Sequence, residues 1–290
     1  MADPLAPLID RLHGEGRLRV WSLVITVFGD AVEPRGGEVH LARLQELLGR
    51  LGIEPGALRT ALSRLAADGW VKRARQGRNA LYRLSGRGRR EFGPAAARIY
   101  APPRTRPVGR WLMAMGNALP EGGLPWGVGP GGAPMRLFAA DDAPRLPSDA
   151  FVISGEIVRQ GDGTGFGPAE ASVEIREAAR LRQDMAALAA ASGRLDPLAA
   201  MAARTLLVHR FRRIVLRGPE WPDELLPPGS PLRGLRRDVA GLYHCLVPAS
   251  ERWLDTEAPG RFPPLPPPGP SIASRFGAGA VTRMRQEAGA

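Results

Sequence analysis

The chain has 290 residues, 44% of them hydrophobic and 24% charged, with a formal net charge of +11. That is an ordinary globular composition, long enough for two or three domains. Its one cysteine, Cys245, excludes an intramolecular disulfide and a Cys-based zinc cluster, and the early apolar run from Trp21 to Phe28 falls far short of the roughly 20 residues a membrane span needs.

The basic residues are almost all arginine, Lys72 being the single lysine, and they are unevenly placed. Residues 1–106 hold 19 basic and 10 acidic residues, so +9 of the excess lies in the first third. An anionic macromolecule is the expected partner of such a segment. The opening "MADPLAPLIDRL" carries acids and has no basic n-region, so a cytoplasmic, soluble protein with no membrane contact is expected.

In chain order, residues 18–28 ("LRVWSLVITVF") are apolar nearly throughout and read as a buried first helix. "GDAVEPRGGEV" breaks the pattern. In "HLARLQELLGRL", Leu41, Leu44, Leu47, Leu48 and Leu51 fall at helical spacing. After a short turn, with Pro55 at a first helical position, "GALRTALSRLAADG" places Leu58, Leu62 and Leu65 on a core face. Arg59, Thr60, Ser63 and Arg64 fall on the opposite side, and Gly69 ends the helix.

Two short strands are expected next, about Val71–Gln76 and Ala80–Ser85, joined through Gly77, Arg78 and Asn79, with Ser85 able to cap a further helix. From Gly69 to Arg90 there are eight basic residues and no acid. Valine, tyrosine and leucine interrupt the charge at intervals that suit a hairpin and not a loose tail. Helix, helix, turn, helix, hairpin is the order of a winged helix-turn-helix. In such a device Arg59, Thr60, Ser63 and Arg64 are the candidates for base contacts in the major groove. Lys72, Arg73, Arg75, Arg78 and Arg83 would contact phosphate or enter the minor groove. RNA modules display several stacking aromatics, whereas only Trp70 and Tyr82 stand here, so duplex DNA is the favoured partner.

"APPRTRP" (101–107) is a linker, followed by strand-like pieces at Arg110–Met115, Met135–Ala139 and Phe151–Ile157. From Val173 the pattern is helical, and from about Pro259 a proline-rich tail ("FPPLPPPGP") reads as extended or disordered. The expected domains are 1–104 (DNA-binding), 105–172 (central), 173–258 (helical) and 259–290 (tail), an α+β chain overall.

The segments "TVFGD", "PRGGEV", "RTALSRLAADGW" and "GRNALYRLSGRGRREF" together resemble the N-terminal domain of the PaaX family of bacterial repressors of phenylacetate-degradation genes. "ARTLLVHRFRRIVLRGPEWPDELLP" and "LYHCLVPASERWL" resemble its C-terminal domain. The resemblance implies a homodimeric regulator with a ferredoxin-like (Cas2-like) central segment. It also implies release from operator DNA by an aryl-CoA effector such as phenylacetyl-CoA, with no resident cofactor. In "LLVHRFRR", His209, Arg212 and Arg213 either clamp CoA phosphates or serve structure, the histidine bonding a buried group and the arginines forming ion pairs. Trp221 is either a packing anchor or a wall for the aryl group.

A nuclease like Cas2 needs an acid at the end of its first strand, where Gly116 and Asn117 stand. The four histidines, His13, His40, His209 and His244, have no metal-ligand spacing. "GDGTGFG" (161–167) lacks the Gly-Lys-Ser/Thr of a phosphate loop. No enzyme is expected; the second reading is a DNA-binding scaffold whose C-terminal half makes only protein contacts.

Overall fold

A computed structural model describes residues 3–14, 18–77, 79–158 and 172–277. The chain forms two compact units. The first comprises Met1–Pro103, Arg180–Arg213 and Arg236–Ala290; the second comprises Arg104–Ala179 and Ile214–Leu235. Most of the N-terminal segment and much of the C-terminal helical segment therefore share one unit.

In the first unit a short helix α1 (Ala6–Gly14) precedes α2 (Val20–Val27), whose apolar run buries Leu23, Val24, Ile25, Thr26 and Val27. The helix continues through a π-turn (Phe28–Val32) and a 3-10 turn (Glu33–Arg35). Gly36 and Gly37 then turn the chain with φ of 87° and 76°, a left-handed backbone that side chains with a Cβ resist. A three-residue strand β1 (Glu38–His40) leads into α3 (Leu41–Arg50) and α4 (Pro55–Ala67). Strands β2 (Val71–Gln76) and β3 (Asn79–Leu84) follow, and the sheet order is β1-β3-β2, antiparallel throughout. Helix α5 (Gly86–Ile99) starts at Ser85, whose Oγ accepts from the Gly88 amide at 2.9 Å. Its Phe92 ring lies where a Cβ on Gly29 would be, so that glycine permits close helix packing.

The second unit is built on a four-stranded antiparallel sheet of β4 (Trp111–Met115), β5 (Leu124–Val128), β6 (Pro134–Ala139) and β7 (Phe151–Gly155), in the order β5-β6-β4-β7. The sequence reading missed β5, which lies in the Gly/Pro-rich stretch and carries a register shift between Pro125 and Gly127. Among the described residues, the connections 116–123 and 140–150 hold no α-helix, so the sheet has the antiparallel strand order of a ferredoxin-like segment without helices in these two connections. Pro120, Gly122, Gly123, Pro144 and Pro147 explain this, because such residues interrupt helices. Trp111, Leu124, Leu137 and Leu225 form the buried cluster of this unit.

Three longer helices complete the chain: α6 (Val173–Ala191), α7 (Pro197–Val215) and α8 (Leu235–Asp255). None of the described helices is long and apolar enough to cross a membrane. Residues 259–277, expected as extended or disordered, belong to the first unit and bury Phe262, Leu265, Ile272, Arg275 and Phe276. Their apolar anchors and arginine outweigh the prolines between them. The prolines themselves lose little conformational freedom on docking.

Candidate nucleic-acid interface

Helix α4 has two unlike faces. Leu58, Ala61, Leu62 and Leu65 are 1%, 7%, 0% and 3% exposed, while Arg59, Thr60, Ser63 and Arg64 are all exposed. The first set follows the helical period and packs inward, so the second must face solvent. The Thr60 hydroxyl donates to Gly56 O at 3.0 Å, and Arg64 makes a loose i,i+4 contact of 3.7 Å with Asp68. Arg59 and Ser63 have no side-chain partner among the described residues.

The β2–β3 hairpin leaves the body as it extends. Only Val71 of β2 is buried, and Lys72 through Gln76 are exposed on both faces of the strand. Arg73 and Arg75 follow Val71 on one face, and their cross-strand neighbours are Tyr82 and Ala80. Tyr82 and Leu84 root the hairpin, both buried. Ser85 locks the root by donating to Gly69 O at 2.5 Å while capping α5, and Arg87 donates to Asp68 O at 3.0 Å. Lys72, Arg73 and Arg75 have no acidic partner among the described residues. Arg83 does, pairing with Glu38 across β1 and β3 at 3.2 Å. Arg78 lies outside the described residues, as does "GDGTGFG".

Of the effector candidates, His209 and Arg212 meet at Thr26 of α2. His209 is 3% exposed, and its Nδ1 lies 3.2 Å from Thr26 Oγ1 of α2. Burial, helped by Arg212, Arg213 and Arg210, pushes its imidazole down to about 3, so it is neutral. Arg212 donates to Ser22 O at 3.1 Å and to Thr26 Oγ1 at 2.9 Å. Both side chains thus brace α2. Arg213 lies in the first unit, partly buried, and Trp221 belongs to the second, packed on its Trp111 cluster.

Sequence reasoning missed the centre of the first unit. Asp30, 1% exposed, accepts from Arg204 Nε at 2.6 Å, Tyr100 Oη at 2.7 Å, an Arg275 guanidinium nitrogen at 2.8 Å and Tyr243 Oη at 3.0 Å. Burial alone would raise the carboxyl, but Arg204, Arg275 and the Tyr100 hydroxyl together hold it below the usual carboxylate range. Burial pushes the Tyr243 hydroxyl up to about 12, so it donates as a phenol. Arg204 also reaches Glu251 at 2.5 Å, and Glu251 in turn holds Arg35 at 2.7 Å. Arg43 donates to Trp253 O at 2.7 Å and Thr256 O at 2.6 Å, its guanidinium lying 4.2 Å from the Phe262 ring centroid. The signal was available: single charges set in apolar helices, as Asp30 after Phe28 and Arg204 in "AAMAARTLLV", announce buried pairs. Among the described residues no group of three His, Cys, Asp or Glu could hold a metal ion.

The model of the PaaX-like protein matches residues 19–88, covering the helices, hairpin and Asp30 turn, and that of the PaaX-like protein C-terminal domain matches residues 174–256. The chain belongs to the PaaX family. It is 29% identical over 283 residues to the transcriptional repressor PaaX of Escherichia coli (strain K12), covering 88% of this chain and 89% of that one. An uncharacterized protein from Mycobacterium tuberculosis is similar in structure, with a TM-score of 0.40, 21% identity and coverage of 71% of this chain and 88% of that one. The two PaaX matches take in both the exposed face of α4 and the α7–α8 side of the Asp30 network.

Proposed function

We propose that this PaaX-family protein is a DNA-binding transcriptional repressor and not an enzyme. Its reader is a winged helix-turn-helix in which α3 and α4 form the helix pair and β2–β3 the wing. The observation that carries this is the exposed Arg59, Thr60, Ser63 and Arg64 face beside a hairpin whose Lys72, Arg73 and Arg75 lack acidic partners among the described residues. A helix of this kind fits the major groove, where arginine pairs with guanine O6 and N7. The wing cations neutralise phosphates and supply salt-dependent affinity.

The finer reading follows from the family. The protein acts in the cytoplasm as a homodimer on a palindromic operator of an aromatic-acid, phenylacetate-type operon. An aryl-CoA thioester releases it by favouring a geometry in which two recognition helices no longer fit their half-sites. Arg213 is the side chain offered for the phosphates of that ligand, while Trp221 is packed on the Trp111 cluster. His209 and Arg212, committed to α2, support the helices instead. That commitment also favours the second reading, a scaffold without an effector.

The test is titration of phenylacetyl-CoA into a complex of the protein with a duplex from upstream of its own gene. Release of the duplex, absent with free CoA, is the expected result. A complex unmoved by phenylacetyl-CoA and by other acyl-CoAs would leave the scaffold.

A further inference from the structure

We propose that residues 259–277 are a strap that holds the DNA-reading helices in position, with Arg275 as its positioning residue. The strap touches the chain on both sides of the reader. Before it, Gly269 N donates to Pro34 O at 2.7 Å and Arg35 donates to Pro266 O at 3.2 Å; within it, Arg43 of α3 donates to Pro263 O at 2.9 Å. After it, Phe276 N donates to the carbonyl of Tyr100, the residue that ends α5, at 2.8 Å.

Arg275 closes the gap between these two contacts. One guanidinium nitrogen, Nη1, donates to Asp30 O at 2.7 Å and Asp30 Oδ1 at 2.8 Å, and Nη2 donates to Gly29 O at 3.0 Å. These carbonyls sit near the end of the α2 helical segment, where helix geometry leaves acceptors without partners. The guanidinium also lies 4.0 Å from the Tyr100 ring centroid. One strap side chain therefore satisfies the turn that launches α3 and packs on the residue that follows the wing and α5.

The backbone next to it is independently unusual. Phe276, 1% exposed, has φ of 58°, the one non-glycine residue with positive φ among the described residues. A side chain with a Cβ holds that conformation only where its surroundings over-determine it. Phe276 is so held, its ring 5.5 Å from Tyr100 and 5.2 Å from Tyr243. A tail that merely covered apolar surface would need neither this conformation nor an arginine aimed at a buried carboxylate.

The inference rests on the DNA-reading function proposed above, and the test separates the two. The unaltered protein and the variants Arg275→Met, Arg275→Lys and Gly269→Pro are compared by amide hydrogen exchange in Leu41–Arg50 and by affinity for two duplexes. One duplex is enriched from a random pool by the unaltered protein; the other is its scrambled counterpart. In Arg275→Met, exchange in α3 should rise roughly tenfold and affinity for the enriched duplex fall roughly tenfold, with the scrambled duplex changed less than about twofold. Arg275→Lys should recover part of both. Gly269→Pro removes one strap hydrogen bond without touching Asp30, and should show the same pattern in milder form if Arg275→Met does not fold. Unchanged exchange in α3, or equal loss on both duplexes, would overturn the proposal. If no duplex is enriched at all, the DNA-reading function fails. Exchange alone then decides the strap: faster exchange upholds it as a clamp on α3, and unchanged exchange removes it.

Discussion

Asp30 and Arg204 stand 174 positions apart in the chain and meet in the core at 2.6 Å, the carboxylate 1% and the guanidinium 0% exposed. Removing two such charges from water costs several kcal/mol for each ion, and the pair persists only because its remaining hydrogen-bonding capacity is filled. Tyr100, Tyr243, Arg275, Ser250 and Glu251 fill it.

Breaking this pair from one side is therefore more damaging than removing both partners. Asp30→Asn or Arg204→Met should each lose about 3–5 kcal/mol in urea unfolding, because a buried charge loses its nearest counterion and keeps only Glu251 or Arg275. The double variant should lose clearly less than the sum of the two. Additive losses would mean that the two side chains do not act as a pair.

The wing is expected to supply affinity without sequence preference. Replacing Arg73 and Arg75 with Gln should weaken binding to every duplex alike. Each phosphate contact removed should reduce the slope of log affinity against log salt by about 0.9. Fluorescence anisotropy over a salt series reads both quantities, and an unchanged slope would place these arginines away from DNA.

Helix α4 should behave differently. Arg59→Ala or Ser63→Ala should alter base preference at one position of the site, by about 1–3 kcal/mol for a bidentate arginine contact. Arg64 should have a weaker effect, since Asp68 competes for it at 3.7 Å. Selection from a random duplex pool checks this; variants that lose only uniform affinity would remove α4 from base reading.

His209 imposes an acid sensitivity. Its imidazole is held at about 3 against an ordinary 6.5, so the unfolded chain binds a proton in this range that the folded chain excludes. Stability from this group is complete above pH 6.5 and is lost as pH falls from there toward 3. At pH 5 the loss should reach about 2 kcal/mol at most, from 1.36 kcal/mol for each unit. His209→Asn keeps a partner for Thr26 but does not titrate, so its urea stability should fall less between pH 7.5 and pH 5. Equal falls in both proteins would show that His209 is not the neutral group between α2 and α7. Asp30, whose carboxyl is held low, adds its own loss only at more acid pH, below the ordinary carboxylate value of 3.8.

The exposed face of α4 and the hairpin were legible because their signals are local. A leucine period of 3.6, a proline at the helix start and glycine at its end lie within one short stretch. Strand β1, three residues long, and β5, broken by Pro125 and Gly127, carry too few residues for a period to show. His209 and Arg212 were legible as a marked pair of residues, but their bonds to Ser22 and Thr26 were not.

The amino-acid order by itself determined which residues of α4 are polar and which apolar, where the β2–β3 hairpin lies, and which family the motifs resemble. Each depends on residues close in the chain, whose periodicity survives in one dimension. Tertiary structure decided that the apolar N-terminal helix, α7, α8 and the proline-rich end close around one aspartate. Gly29 and Arg275 hydrogen-bond across 246 positions, a separation no local pattern records. Burial gives that network its strength, and burial depends on the fold: in water Asp30 and Arg275 are two screened charges, whereas in the core each supplies what the other cannot take from solvent.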